Sequence, residues 1–189
     1  PESIIELIKR GVKGEIRDTP SKVDGDHFIV ANNNMALNSI YSNLQSSGFS
    51  TEKKDNISGD AESVSKEILE YFISSKKDAL VFGGETTVLV TGNGVGGRNQ
   101  HFVLSVVKEI ADTDIVVSSI GTDGIDGISD YAGAIADGES YRRAKMLNLC
   151  VREYLKNSDS ETFFRRLKDN IYTGRTGTNV MDIGIFLKK

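Results

Sequence analysis

The 189-residue sequence is poor in the residues that build disulfide and metal frameworks, with one cysteine, two histidines, two prolines and no tryptophan. One cysteine cannot form an internal disulfide, which suits a reducing compartment. Cys150 lies in an apolar segment with no histidine close in sequence, so we expect a small packed side chain rather than a nucleophile. His27 and His101 are too far apart in the sequence for a histidine metal site.

The chain also lacks long hydrophobic runs and clusters of basic residues. No apolar stretch approaches the roughly 20 residues of a membrane span. The formal net charge is −4, and lysine and arginine form no run. These features argue against a membrane partner and against nucleic acid, because a nucleic-acid site needs a clustered basic surface. We therefore expect a cytoplasmic protein that binds small molecules.

The order of the predicted elements is that of an α/β protein, a layered sheet with flanking helices. Apolar residues at helical spacing predict helices at 2–10, at 34–47, after Asp60, at 97–111 and over most of 138–168. Apolar runs predict strands at 27–31, 79–82, 86–91, 115–120 and 180–187.

Local patterns refine these elements. Asn32-Asn33-Asn34 and Asp60 each stand at the start of a predicted helix, where an Asn or Asp side chain caps free N–H groups. For the asparagines the alternative is a ligand contact at the end of the preceding strand. Gly83-Gly84 separates two predicted strands and indicates a tight hairpin, or a turn that brings Glu85 to a ligand. The last strand alternates and places one set of apolar residues on a single face, namely Met181, Ile183, Ile185 and Leu187.

The glycine-rich segment 92–97 stands between a predicted strand and a predicted helix. Its glycines allow the backbone to approach a ligand closely. A helix that begins near Gly97 would present unpaired N–H groups and the positive end of its dipole to an anion. Arg98 adds a planar set of donors that stays protonated. This pattern predicts a phosphate or carboxylate site, and the alternative is a tight turn whose glycines only relieve steric crowding.

Two general nucleotide motifs match segment 92–97 only in part. The dinucleotide pattern also needs an acidic residue about twenty positions on, at the end of the next strand, whereas Asp112 and Asp114 precede that strand. A phosphate-binding P-loop needs Lys-Ser or Lys-Thr where this sequence has Arg98-Asn99. The segment is therefore not a P-loop, and it gives a dinucleotide site only weak support.

Two further polar loops lie beside strands of the predicted sheet, one directly after a strand and the other directly before the last strand. Asp123 and Asp126 come directly after the strand at 115–120, at the end where open α/β sheets bind ligands. Magnesium takes one or two carboxylates together with water and phosphate oxygens, so these aspartates suit it. The alternative is an Asp-Gly turn with local side-chain to backbone bonds. The loop 172–179 offers hydroxyls, an amide and glycines just before the last strand.

Five motifs in this order resemble those of the MOFRL-type glycerate 2-kinases, some of which carry the older label hydroxypyruvate reductase. They are Gly83-Gly84-Glu85-Thr86-Thr87, Gly94-x-Gly96-Gly97-Arg98-Asn99-Gln100, Gly121-Thr122-Asp123-Gly124-x-Asp126-Gly127, Asn157-x-Asp159-Ser160 and Thr173-Gly174-x-Thr176-Gly177-Thr178-Asn179-Val180-x-Asp182. The resemblance covers essentially the whole chain and is strongest from 83 to 182.

The resemblance implies a fold and a domain organisation. It predicts that 1–76 are the C-terminal part of a Rossmann-like first domain and that 77–189 form a MOFRL-type α/β domain, with the boundary in the polar stretch 74–78. Members of the family have two domains with the active site in the cleft between them. We therefore expect this chain to carry the second half of the cleft and to have the N-terminal part of the same enzyme as its partner.

The resemblance also implies an activity, the ATP-dependent phosphorylation of glycerate to 2-phosphoglycerate, with ATP and Mg²⁺ as cofactors. We assign the catalytic role, which is stabilisation of the moving phosphoryl group, to Arg98. Asp123 and Asp126 are the predicted metal ligands. The predicted substrate and phosphate contacts are Glu85, Gly96, Gly97, Asn99, Thr176, Thr178 and Asn179.

The sequence departs from the family pattern in three places. His101 follows Arg-Asn-Gln where glutamate is usual, Arg175 replaces a proline, and Ile128-Ser129 replaces Pro-Thr. Two other functions stay open, an NAD(P)-dependent hydroxypyruvate reductase and a non-catalytic half that only binds a ligand. The oligomeric state is open as well, and a homo-oligomer is compatible with the sequence.

Overall fold

A computed structural model describes residues 1–20 and 22–188 of the chain. The chain separates into two compact units, Pro1–Val30 and Ala31–Lys189. The predicted domains 1–76 and 77–189 stay a prediction. Among the described residues, no helix has both the length and the apolar character that crossing a membrane requires.

The described part of the first unit contains one helix, α1 (Glu2–Val12), which confirms the predicted helix at 2–10. The predicted buried strand at 27–31 is wrong. Phe28, Ile29 and Val30 are 84%, 76% and 86% exposed, and the backbone there is irregular. A strand needs a neighbour for its N–H and C=O groups, and no described strand pairs with this segment.

The second unit is built on a six-stranded sheet with the order β1-β2-β6-β3-β4-β5. Its strands are β1 (Thr51–Asp60), β2 (Ala79–Thr87), β3 (Val116–Gly121), β4 (Gly133–Asp137), β5 (Asn170–Ile171) and β6 (Asp182–Leu187). Its helices are α2 (Asn33–Ser46), α3 (Ala61–Ser74), α4 (Arg98–Val106), α5 (Ser140–Met146), α6 (Val151–Lys156) and α7 (Ser160–Leu167). The predicted α/β class is confirmed.

The strand directions decide where the polar loops lie. β1 is parallel to β2, and β6 runs antiparallel to both of its neighbours, β2 and β3. β2 and β3 therefore run in the same direction. Their C-terminal ends lie at the same edge of the sheet as the start of β6.

The predicted hairpin at Gly83-Gly84 is wrong, because β2 passes through both glycines without a break. Gly84 has a φ of 150°, and a Cβ there would overlap the Ile57 carbonyl of β1. The pairing of β1 and β2 shifts register between Lys54 and Ile57, opposite this point. Glycine is needed here because the irregular pairing brings two backbones too close for a side chain.

The main core lies between the sheet and the helices α3 and α4. Its centre is a cluster of four phenylalanines with ring centroids 5.0 to 6.3 Å apart, formed by Phe72, Phe82, Phe102 and Phe186. α2 contacts β1, β2 and β6, and its buried Leu37 lies outside this core, so α2 covers the opposite face of the sheet.

β6 confirms the predicted alternation, but the face that it buries is opposite to the predicted apolar face. Asp182, Gly184 and Phe186 are buried, whereas Ile183 and Ile185 on the predicted apolar face are only half-buried. Gly184 lies directly against the Phe82 ring, which a Cβ would overlap. The large ring of Phe186 and the absence of a side chain at Gly184 together decide which face is the inner one.

Of the other local predictions, the two helix caps are confirmed and the packed role of Cys150 is wrong. Asn32 accepts a hydrogen bond from the Met35 N–H at 2.8 Å, and Asp60 accepts one from the Ser63 N–H at 3.0 Å, which confirms both helix caps. Cys150 is exposed, so the predicted packed role is wrong. It stands in the connection between α5 and α6, where its thiol is on the surface.

We expect Gly184→Ala to destabilise the second unit by about 1–3 kcal/mol, because the added methyl group overpacks the phenylalanine cluster. Urea unfolding followed by circular dichroism measures this change. Gly11→Ala controls for the glycine-to-alanine change itself, since Gly11 lies in the first unit and nothing lies within 4 Å of its added Cβ. Phe82→Leu should restore part of the loss in the double variant. Equal unfolding midpoints for Gly184→Ala and the unchanged protein would contradict the proposed packing.

Candidate functional site

The predicted polar loops meet at the edge of the sheet where β2 and β3 end and β6 begins. Arg98, the first residue of α4, lies at this edge with Glu85 of β2 and Asp182 of β6. Asp123 follows β3, and Asn179 precedes β6. The structure thus brings residues from distant parts of the chain into one polar cluster.

An ion-pair network holds Arg98. Its Nε lies 2.6 Å from Oδ2 of Asp182, its Nη2 lies 3.0 Å from Oδ1 of Asp182, and its Nη1 lies 3.1 Å from Oε1 of Glu85. The exposed fractions of the side chains are 33% for Arg98, 10% for Asp182 and 55% for Glu85. The hydrogen bonds with Asp182 raise the pKa of Arg98 above its usual value. The guanidinium is therefore a fixed cation with one buried and one accessible carboxylate.

Asp182 is a site residue that the sequence analysis does not assign. It pairs in register with Gly84 on β2 and Gly121 on β3, so neither neighbouring strand places a side chain beside it. The buried Asn33 donates from Nδ2 to the carbonyls of Val180 and Asp182, at 2.8 and 2.9 Å. One signal points to Asp182 in the sequence: strand alternation puts it on the same face as Phe186, and a buried charge needs a partner.

The prediction of unpaired N–H groups at the start of α4 is wrong for two of them, those of Asn99 and Gln100. The Asp126 carboxylate accepts hydrogen bonds from the Asn99 N–H at 3.0 Å and from the Gln100 N–H at 2.8 Å. It also accepts one from Nδ2 of Asn99 at 3.2 Å. Asp126 thus supplies, from another loop, the negative charge that a helix N-terminus favours.

Asp126 is only 1% exposed, and burial raises the pKa of its carboxyl group to about 6. The hydrogen bonds from Gln100 and Asn99 oppose this shift, because they favour the charged form. Asn99 is buried as well, and its Oδ1 accepts from the Ser119 hydroxyl at 2.6 Å. A direct contact of Asn99 with substrate would therefore need one of these internal bonds to break.

The glycine-rich segment packs against the protein itself. A Cβ at Gly92 or Gly94 would overlap residues 157–159, one at Gly96 would overlap Ser160, and one at Gly97 would overlap Asp126. The Gly94 N–H donates to the Asn157 carbonyl at 2.9 Å. These glycines therefore allow two backbones to pack closely, and the phosphate roles of Gly96 and Gly97 stay predictions.

The loop 172–181 packs on the loop that follows β3. The Thr176 hydroxyl donates to the Thr122 carbonyl at 2.6 Å, and Nδ2 of Asn179 donates to Oδ2 of Asp123 at 3.3 Å. Thr178 is exposed beside them. The structure thus brings together Asp123, Thr176, Thr178 and Asn179, while their substrate contacts stay predictions.

The two predicted metal ligands differ in how accessible their carboxylate oxygens are. Asp123 is partly exposed, whereas all three hydrogen bonds of buried Asp126 come from α4. In residues 1–20 and 22–188, no group of three or more His, Cys, Asp or Glu side chains could hold a metal. Asp123 still fits magnesium, which often takes one carboxylate and otherwise water and phosphate oxygens. Binding to Asp126 would need its bonds to α4 to break, and both metal assignments stay predictions.

His101 does not join the Arg98 cluster. It is buried, and burial lowers the pKa of its imidazole. It lines a separate cavity of about 460 Å³ together with Asp60 and Glu62. His101 is therefore a neutral side chain near pH 7. Arg175, the other departure of interest, is exposed in the loop 172–181.

Residues 78–182 match the MOFRL family. A glycerate 2-kinase of Pyrococcus horikoshii is 34% identical over 197 residues, which cover 98% of this chain and 45% of that protein. A glycerate 2-kinase of Picrophilus torridus is 39% identical over 170 residues, covering 86% of this chain and 39% of that protein.

The crystal structure of glycerate kinase from Thermotoga maritima has a TM-score of 0.81 and 31% identity with this chain. The match covers 97% of this chain and 49% of that one. The chain spans about half the length of the relatives that it matches, or less.

The raised pKa of Asp126 predicts a pH dependence of stability. The unfolded carboxyl group titrates near pH 3.9, so between about pH 4 and 6 the folded protein holds one proton more than the unfolded chain. This group should therefore lower the free energy of unfolding by about 1.4 kcal/mol per pH unit as pH rises through that window, about 3 kcal/mol in all.

Urea unfolding at several pH values should reveal this slope as a difference between the unchanged protein and Asp126→Asn, which cannot titrate. Asp130→Asn is the control, because Asp130 is exposed. A difference between the protein and Asp126→Asn that stays constant from pH 4 to 7 would mean that burial does not raise the pKa of Asp126.

Proposed function

Because this chain belongs to the MOFRL family, we propose that it forms one side of the active-site cleft of a glycerate 2-kinase. In the proposed reaction the γ-phosphoryl group of ATP passes to the 2-hydroxyl of glycerate, giving 2-phosphoglycerate and ADP. The names of the relatives support glycerate as the substrate. The remaining half of the relatives' length would supply the other side of the cleft.

The observation that carries this proposal is the fixed position of Arg98. A guanidinium has five N–H groups, and within the described residues two of them donate to Asp182, while Nη1 forms an ion pair with Glu85. The N–H groups that do not donate to Asp182 remain for oxygens of the transferred phosphoryl group. Phosphoryl transfer depends mainly on positioning and on stabilising charge in the transition state, and a preorganised arginine supplies both.

The accessible carboxylate of Glu85 lies where a substrate hydroxyl could reach Arg98 and Glu85 together. In the proposed step the 2-oxygen of glycerate forms a bond to the γ-phosphorus as the bond from that phosphorus to the β–γ bridging oxygen breaks. The hydroxyl proton leaves to Glu85 or to solvent. When bound, Mg²⁺ would neutralise charge on the phosphates, and Asp123 is the residue that would hold it.

The other assigned residues take different roles in this proposal. Thr176, Thr178 and Asn179 are exposed and can contact substrate or phosphate directly. Asn99 acts through a neighbour, because it is buried and bonds to Asp126. Gly96 and Gly97 bring the start of α4 to the cleft.

The geometry at the start of α4 disfavours the reductase alternative. A dinucleotide site would need the N–H groups of Asn99 and Gln100 for a pyrophosphate, and both already donate to Asp126. The non-catalytic alternative differs from the kinase in one observable, since it predicts binding of glycerate without turnover.

We expect Arg98→Ala to lower kcat on the order of 10³-fold, because the charge on the moving phosphoryl group loses its counter-charge. Arg98→Lys should recover little, since an ammonium cannot form the two parallel bonds to Asp182. Asp182→Asn should lower kcat as well, and the double variant Arg98→Ala/Asp182→Asn should be no worse than Arg98→Ala, because both remove the same interaction.

These variants are compared by ADP release with D-glycerate, ATP and magnesium, in the longest form in which the protein is expressed. Phosphorus NMR identifies the phosphorylated carbon. Arg142→Ala is the control, because Arg142 is exposed and pairs only with the exposed Glu139 among the described acidic residues. A loss of less than tenfold in Arg98→Ala would remove Arg98 from the proposed role. Glycerate binding without ADP release would favour the non-catalytic half.

A further inference from the structure

A second cavity lies away from the Arg98 cluster, between α3, α4, α5 and α6. Its volume is about 620 Å³, which is in the range of pockets that hold small organic ligands. Ser105 of α4 lines it, seven residues after Arg98, which is about 10 Å along the helix axis. No residue assigned to the kinase site lines this cavity.

The wall of this cavity is strongly basic. Lys66, Lys108, Lys145 and Arg152 line it, and among the described lining residues Glu109 is the acidic one. These cations come from four separate segments and line one concave space. Positive charges around a cavity raise the local concentration of anions and favour their binding.

Two of these four cations have neither an ion pair nor an aromatic partner in the described part of the chain. Lys66 bonds to Glu62 at 2.8 Å, and Nζ of Lys145 lies 4.3 Å from the centre of the Tyr141 ring. No described acidic side chain lies within 4.0 Å of the basic groups of Lys108 or Arg152. The cavity thus carries an excess of positive charge that a bound anion would neutralise.

The remaining lining residues are apolar or aromatic. Leu149 is buried, Val151 and Leu155 belong to the edge of the core, and Tyr141 offers a ring face. A cavity lined by both apolar and basic residues suits a molecule with the same two parts. An inorganic anion alone would leave the apolar surface in contact with water.

We propose that this cavity is a second ligand site, and that it takes an organic anion in which an aromatic or apolar body carries a negatively charged group. The body packs against Leu149, Val151 and Leu155. The charged group lies among Lys108, Lys145 and Arg152. The site is separate from the proposed kinase chemistry, so either can fail without the other.

The test uses anilinonaphthalene sulfonate, an organic anion that fluoresces in apolar surroundings, and its neutral relative N-phenylnaphthylamine. The sulfonate should bind the full chain, and Lys108→Glu/Lys145→Glu should weaken its binding by about tenfold or more, which is 1.4 kcal/mol or more. Lys76→Glu/Lys77→Glu is the matched control, because it changes the net charge equally at exposed lysines. Binding of the neutral compound should not change in either variant.

Cys150 gives an independent report on where the sulfonate binds. It lines the cavity, is exposed, and is the one cysteine of the sequence. Saturating sulfonate should slow its alkylation by iodoacetamide about tenfold, because the ligand covers the thiol, and Lys108→Glu/Lys145→Glu should remove this protection at the same concentration.

Two results would overturn the proposal. One is equal weakening of sulfonate binding in the cavity variant and in the Lys76/Lys77 control, which would indicate a general charge effect. The other is bound sulfonate that leaves the alkylation rate of Cys150 unchanged, which would place it elsewhere on the chain.

Discussion

The interaction on which the site depends is the bond between the Asp126 carboxylate and the first turn of α4. Asp126 comes from the loop after β3, so this contact fixes the loop and the helix relative to each other. Arg98 is the first residue of the same helix. The direction in which its side chain leaves the helix is therefore set by a buried carboxylate that need not touch a substrate. Phe102, one turn later, anchors the same helix in the phenylalanine cluster.

Close packing against a backbone or an aromatic ring is the second constraint, and glycine allows it at three positions. Gly84 accommodates the irregular pairing of β1 and β2, Gly184 leaves room for the Phe82 ring, and Gly94 packs on the turn between α6 and α7. A glycine that admits a neighbouring backbone and one that admits a phosphate look alike in sequence. The dense glycines of this chain are therefore ambiguous until their neighbours are known.

This ambiguity explains which features the sequence predicts. Asn32 and Asp60 are recognised as helix caps because their partners lie three residues away. β1 has no counterpart among the predicted strands, because this edge strand is mostly polar and pairs with β2 by backbone bonds. The role of Asp126 could not be predicted either, since its partner Asn99 lies 27 residues earlier and only the fold brings them together.

The two carboxylates that pair with Arg98 differ in how easily they can leave it. Arg98, Asp182 and Glu85 together carry a net negative charge, which would repel an approaching phosphoryl group. Asp182 is largely buried and held by two bonds, so removing it from Arg98 would leave an unpaired buried charge. Glu85 has one ion pair and is more than half exposed, so water can replace that pair at small cost. Glu85 is therefore the carboxylate that an anionic ligand could displace from Arg98, while Asp182 would keep the guanidinium oriented.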